Sequence, residues 1–200
     1  GVNAQRQTFK EADSIRFHPI ITQGGDLVNV VPSDVRMESY VRGATIPAMQ
    51  DANVKINRAL EAGAMAVGAE VEIQDLPGYL PLNNSDVLND FFRANAEELM
   101  GAENVWIAGH MTGSTDTGDL SHIMPVCHPW IGGVYGSLHG KNYEVFDQDL
   151  VYVKTAQAMA MTVIDLLYGE AEAADQLMKE YKPLLTKEEL LKFLNSFASK

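Results

Sequence analysis

The 200 residues include 15 Lys and Arg against 27 Asp and Glu, a formal net charge of −12, and 46 % of them are hydrophobic. This is the composition of an ordinary globular chain, long enough for one large domain or two small ones, and it argues against nucleic acid or an anionic membrane surface as a partner, since phosphate contacts need clustered cations. Cys127 is the only cysteine, so no internal disulfide forms and a reducing, cytoplasmic compartment is expected. No uninterrupted apolar run approaches the ~20 residues needed to span a bilayer.

The chain opens on Gly1-Val2-Asn3 with no capping or strand signal before Ser14, which reads as a start partway into a larger protein or as a processed product. From Ser14 to Gln23 the residues alternate, with Ile15, Phe17 and Ile21 on one face and Arg16 and His18 on the other, which predicts a strand. Gly24-Gly25-Asp26 makes a turn, Leu27 to Val31 resumes extended structure, and Pro32 marks an edge or corner. Val35 to Val41 alternates again, placing Val35, Met37 and Val41 inward, so an antiparallel pair is expected. Thr45 caps a helix with Pro47 in its first turn, and Ile46, Met49, Ile56, Leu60, Ala64 and Val67 recur at helical spacing. Val71 and Ile73 begin another strand, turned by Pro77-Gly78. Strand, strand, helix, strand is most of a ferredoxin-like sandwich, short of one strand and one helix at its front.

Pro81-Leu82-Asn83-Asn84 is the best boundary, dividing the chain into 1–82 and 83–200. Beyond it, Asn84 or Ser85 caps a helix that Gly101 stops, and Val105 to Ala108 reads as a buried strand. Ile131 to Leu138 is extended and Gly-rich, and Leu150 to Tyr168 is a strongly apolar helix whose Met159 and Met161 are core filling. Ala171 to Tyr181 is amphipathic, and Thr186-Lys187-Glu188-Glu189 is a capping box that opens a last helix. The whole is an α/β chain: an α+β lid followed by part of an α/β domain.

Gly, Ser, Thr, Asp and His crowd the stretch from Thr112 to His122, which Pro125 and then Gly136-Ser137-Leu138-His139 continue. Glycines at 113 and 118 let backbone N–H groups approach a ligand, and the hydroxyls add hydrogen bonds without charge, although the same residues also make ordinary surface turns. His110, His122, Cys127, His128 and His139 are possible metal ligands, but their spacings match no self-contained zinc pattern.

Gly24-Gly25-Asp26-Leu27-Val28-Asn29-Val30-Val31-Pro32, with Tyr40-Val41-Arg42 following, resembles the lid of the zinc amidohydrolases that include aminoacylase, carboxypeptidase G and aminobenzoyl-glutamate hydrolase. Gly113-Ser114-Thr115-Asp116-Thr117-Gly118-Asp119-Leu120-Ser121 is similar to the loop near the end of that family's catalytic domain, and Gly136 to His139 to the segment holding its last metal ligand. The bacterial branch containing aminobenzoyl-glutamate hydrolase is the nearest in look. The family's first-half ligands and its general-base Glu have no counterpart here, so this chain looks like the rear half of such an enzyme, without a catalytic base and expected to be inactive alone.

The resemblance implies a metal-dependent amidohydrolase cleaving N-acyl or N-aroyl amino acids such as aminobenzoyl-glutamate. It implies two zinc or manganese ions per complete site, with His139 supplying one imidazole to activate water and polarise the amide. Asn29 and Arg42 would bind substrate across a homodimer formed through the lid, the planar Arg42 fork gripping a carboxylate. Gly113, Ser114, Thr115 and Asp116 would line the pocket as an oxyanion-type arrangement; Asp116 and Asp119 suit helix capping equally well. His18 is expected to be structural, and His110, His122 and His128 to support the site or lie at the surface. The rival reading is a non-catalytic ferredoxin-like dimerisation or small-ligand-binding module in which the His cluster is incidental.

Overall fold

Small antiparallel sheets and helices share the chain in the computed structural model, which describes residues 1–197. Two units are distinguished: residues 1–81 with 110–116 and the described residues from 191, and residues 82–109 with 117–190.

In the first unit, β1 (Arg16–Gln23) pairs antiparallel with β2 (Arg36–Arg42), and Phe17 faces Val41. Phe17 is buried, but Ile21 is exposed, so the alternation predicts the strand correctly and its inward face only at one end. Gly25 lies at φ 117°, where a side chain is strained, and a Cβ there would meet Pro32 Cγ at 2.8 Å; the connecting loop therefore folds back on itself. Leu27 to Val31 forms a turn in that loop rather than a strand, with the Val30 N–H donating to Leu27 O at 3.3 Å.

Helix α2 (Ile46–Ala66) follows as its signals require: Thr45 accepts from the Ala48 N–H at 3.3 Å and Pro47 occupies the first turn. Its buried stripe is Ala48, Ala52, Ile56 and Ala59, small enough for close packing, and the short helix α1 (Val2–Gln5) lies against it. Residues 71–79 form no strand. In a split βαβ arrangement the closing strand pairs with the opening strand, and among the described residues no such strand offers a ladder.

In the second unit, α3 (Asp86–Met100) starts at Ser85, whose hydroxyl accepts from the Leu88 N–H at 3.4 Å. It packs on α5 (Thr155–Leu167), which continues a π-helical turn over Asp149–Lys154. Ala96 and Ala158 are buried between them, beside Asn95, whose amide donates to Thr162 Oγ1 at 3.3 Å and to Asp165 Oδ2 at 2.7 Å. The helical stretch Asp149–Leu167 is long and apolar enough to cross a membrane by length and composition alone, although Lys154 and Asp165 interrupt its apolar run.

Residues 105–108 are neither strand nor buried; Trp106 and Ile107 stand exposed with no neighbouring ladder. The short helix α4 (Thr117–Leu120) comes next, and the expected extension over 131–138 shrinks to a hairpin of β3 (Val134–Tyr135) and β4 (Glu144–Val145). Helices α6 (Glu172–Glu180) and α7 (Lys187–Asn195) close the chain, α7 behind the expected capping box. There the Thr186 N–H donates to Glu189 Oε2 at 2.7 Å and the Glu189 N–H to Thr186 Oγ1 at 3.2 Å.

Candidate functional site

Arg42 ends β2, and the residue after it fixes its direction. Gly43 is buried, and a Cβ there would come within 3.0 Å of both Ile15 Cδ1 and Met49 N. Ala44 N–H then donates to Asp13 O at 2.8 Å, tying the strand end down. From this anchored position Arg42 Nη1 donates to Thr112 O at 3.2 Å, the carbonyl just before Gly113. Its guanidinium also lies 5.6 Å from the centre of the Tyr40 ring, leaving part of its donor fork for another acceptor. Arg42 and the Gly113–Asp116 loop are thus brought together within one unit.

The loop itself is irregular. Gly113, Ser114 and Asp116 are exposed and Thr115 half-buried, with Thr115 Oγ1 donating to Asp116 Oδ1 at 3.1 Å. No atom lies within 4 Å of a Cβ built on Gly113, so open space surrounds the backbone there. Asn29 occupies the exposed turn of the β1–β2 connection, and His18 is exposed on β1 opposite Tyr40.

In the other unit, His139 sits at the tip of the β3–β4 hairpin, exposed and in the left-handed region at φ 63°. The hairpin tip is tightly wound: Gly140 N–H donates to Ser137 O at 2.7 Å, and Gly136 (φ 91°) abuts Asn142 O so closely that no side chain fits. A non-glycine residue held left-handed stores strain, and the geometry presents the His139 imidazole outward.

Sequence reasoning missed the buried role of Ser121. It is fully buried, accepts from the Asn83 N–H at 2.9 Å and donates to Gly118 O at 2.5 Å. Its carbonyl accepts from Asn83 Nδ2 at 3.3 Å and from the Tyr181 hydroxyl at 3.1 Å. His122 beside it is also buried, and its carbonyl accepts from the Leu185 N–H at 3.0 Å. Only the Ser spacing after Gly118 hints at a local turn; partners 38 and 60 residues away leave no local signal. His110 is exposed, and His128 packs edge-on to Trp130 with ring centres 6.3 Å apart. Burial pushes the Cys127 thiol up, away from a reactive thiolate.

No protein-family model matches the chain. It is 29 % identical over 185 residues to the Xaa-Arg dipeptidase of Mus musculus, across 88 % of this chain and 42 % of that protein. It is 28 % identical over 188 residues to the Xaa-Arg dipeptidase of Homo sapiens, again across 88 % and 42 %. The likeness is to proteins named as dipeptidases. It does not single out the aminobenzoyl-glutamate branch, and the chain spans about two fifths of the length of the curated relatives it matches.

Among the described residues no group of three or more His, Cys, Asp or Glu is placed to hold an ion. A hydrolytic site needs at least three protein ligands, and His139 offers one imidazole. These residues do not by themselves fit the two ions that the resemblance implies.

Proposed function

We propose that this chain is the substrate-gripping part of a metal-dependent amide-bond hydrolase acting on dipeptides or N-acyl amino acids. The observation that carries the reading is the Arg42 to Thr112 hydrogen bond of 3.2 Å, which sets a guanidinium beside the Gly113–Asp116 loop. In this reading the guanidinium takes the substrate carboxylate through parallel N–H donors. Backbone N–H groups of residues 113–116 and the hydroxyls of Ser114 and Thr115 face the scissile carbonyl, where negative charge develops during attack. Asn29 adds a polar contact to the substrate. In the second unit, His139 is the residue that would give an imidazole to a zinc or manganese ion. Homodimerisation through the lid and a cytoplasmic location belong to the same proposal.

The net charge of −12 bears on the substrate. An acidic protein attracts a cationic ligand and repels a dianionic one, so a dipeptide ending in Arg, as in the relatives' name, suits it better than aminobenzoyl-glutamate. Calorimetric titration with Ala-Arg and with aminobenzoyl-glutamate tests this. Ala-Arg is expected to bind more tightly at low salt, the gap narrowing as salt rises, and Arg42→Gln is expected to weaken both by about tenfold. Absence of binding by either ligand, with Arg42→Gln indistinguishable from the parent, would return the chain to the class of non-catalytic modules.

A further inference from the structure

Three cationic side chains converge on one cleft of the first unit. Arg6, Lys10 and Arg16 line it with Phe9, Glu11 and Ile15, around a volume of about 410 Å³. Ion pairs among the described residues use Arg36, Lys55, Arg93 and Lys154, and none neutralises the three cations of the cleft. Glu11 is the one acid lining this concavity beside the three cations.

Two of the cleft's cations are held by hydrogen bonds, while the Lys10 side chain stands exposed. Arg6 Nε donates to Asn3 Oδ1 at 3.3 Å and its Nη2 to Phe17 O at 3.2 Å, which orients the guanidinium and leaves further N–H groups free. Arg16 Nη1 donates to Ile15 O at 3.0 Å. Ser14, left-handed at φ 47°, closes the turn of Glu11–Asp13 through its N–H to Glu11 O at 3.1 Å, so a strained residue pins one wall. Arg16 also stands directly opposite Arg42 across the β1–β2 ladder, and like charges in that position repel. A bound anion would relieve both the repulsion and the unbalanced charge.

We propose that this cleft binds a small multivalent oxyanion of the phosphate type. Two guanidinium forks match the paired oxygens of such a group and the Lys10 ammonium adds a point charge, whereas a single carboxylate would engage only one fork. The proposal uses neither the Gly113–Asp116 loop nor His139, and of the residues in the hydrolase reading only Arg42 borders it, opposite Arg16 on the ladder.

The test is calorimetric titration of the whole chain with inorganic pyrophosphate, ionic strength held constant with chloride. Saturable 1:1 binding is expected. Lys10→Glu is expected to weaken it at least about tenfold, while Lys182→Glu, the same charge change at an exposed position elsewhere, leaves it unchanged. Lys10 holds the fold only through its backbone, its carbonyl accepting from the Asp13 N–H at 3.1 Å, and Lys10→Gln serves as a milder variant should the reversal disturb folding, with weakening again expected. No saturable binding, equal weakening by both reversals, or full binding by both Lys10 variants would each overturn the site.

Discussion

Ser121 and His139 make opposite demands on their surroundings. The Ser121 hydroxyl is fully enclosed and serves two backbone groups at once, so its removal leaves the Asn83 N–H and the Gly118 carbonyl buried and short of a partner. Ser121→Ala is therefore expected to lower stability by about 1–3 kcal/mol, read from the midpoint of urea unfolding at unchanged slope. His139 is exposed and left-handed at φ 63°, a conformation that glycine adopts without strain. His139→Gly should raise hairpin stability by about 1 kcal/mol, since it removes backbone strain and no buried contact. If the imidazole is a metal ligand, the same variant takes up less zinc at neutral pH than the parent chain. A more stable variant with undiminished zinc uptake would make His139 a turn residue and nothing more.

At the scale of elements, those written locally stand where the sequence puts them, and those that depend on distant partners do not. Thr45 with Pro47, Ser85, and the Thr186–Glu189 capping box each specify a helix start within a few residues, and α2, α3 and α7 begin there. Segments 71–79 and 105–108 have strand-like residues, but a strand exists only beside another strand, and none among the described residues pairs with them. For the candidate site, Arg42 and the Gly113–Asp116 loop were legible as motifs, while the Arg42 contact to Thr112 spans 70 residues and could not be read locally. The capping box also makes a pH prediction. Bonds from the Thr186 backbone and hydroxyl hold the Glu189 carboxylate below its ordinary range. A pKa lower in the folded than in the unfolded state stabilises fully above the unfolded value, and that contribution disappears as pH falls through the folded value. The first turn of α7 should fray on acidification through the lower carboxylate range, seen as faster amide exchange at Thr186 and Glu189, and Glu189→Gln should flatten that dependence.

At the scale of the whole molecule, apolar surface and net charge pull in opposite directions. Ile20, Ile21, Val28 and Val31 are exposed on the β1–β2 arm, and Trp106, Ile107, Ile164 and Leu167 are exposed in the second unit. An excess of 12 negative charges keeps chains apart at low ionic strength, but screening over the Debye length of about 8 Å at physiological salt removes much of that barrier. Self-association should therefore increase with added salt, the reverse of a complex held by opposite charges. Sedimentation velocity across a salt series measures it directly, and binding of an apolar dye should fall as association proceeds. Replacing Ile21 and Val28 with Lys distinguishes the surfaces: if the β1–β2 arm forms the dimer, the double variant stays monomeric at high salt, whereas contact through Trp106 and Ile107 leaves its association intact.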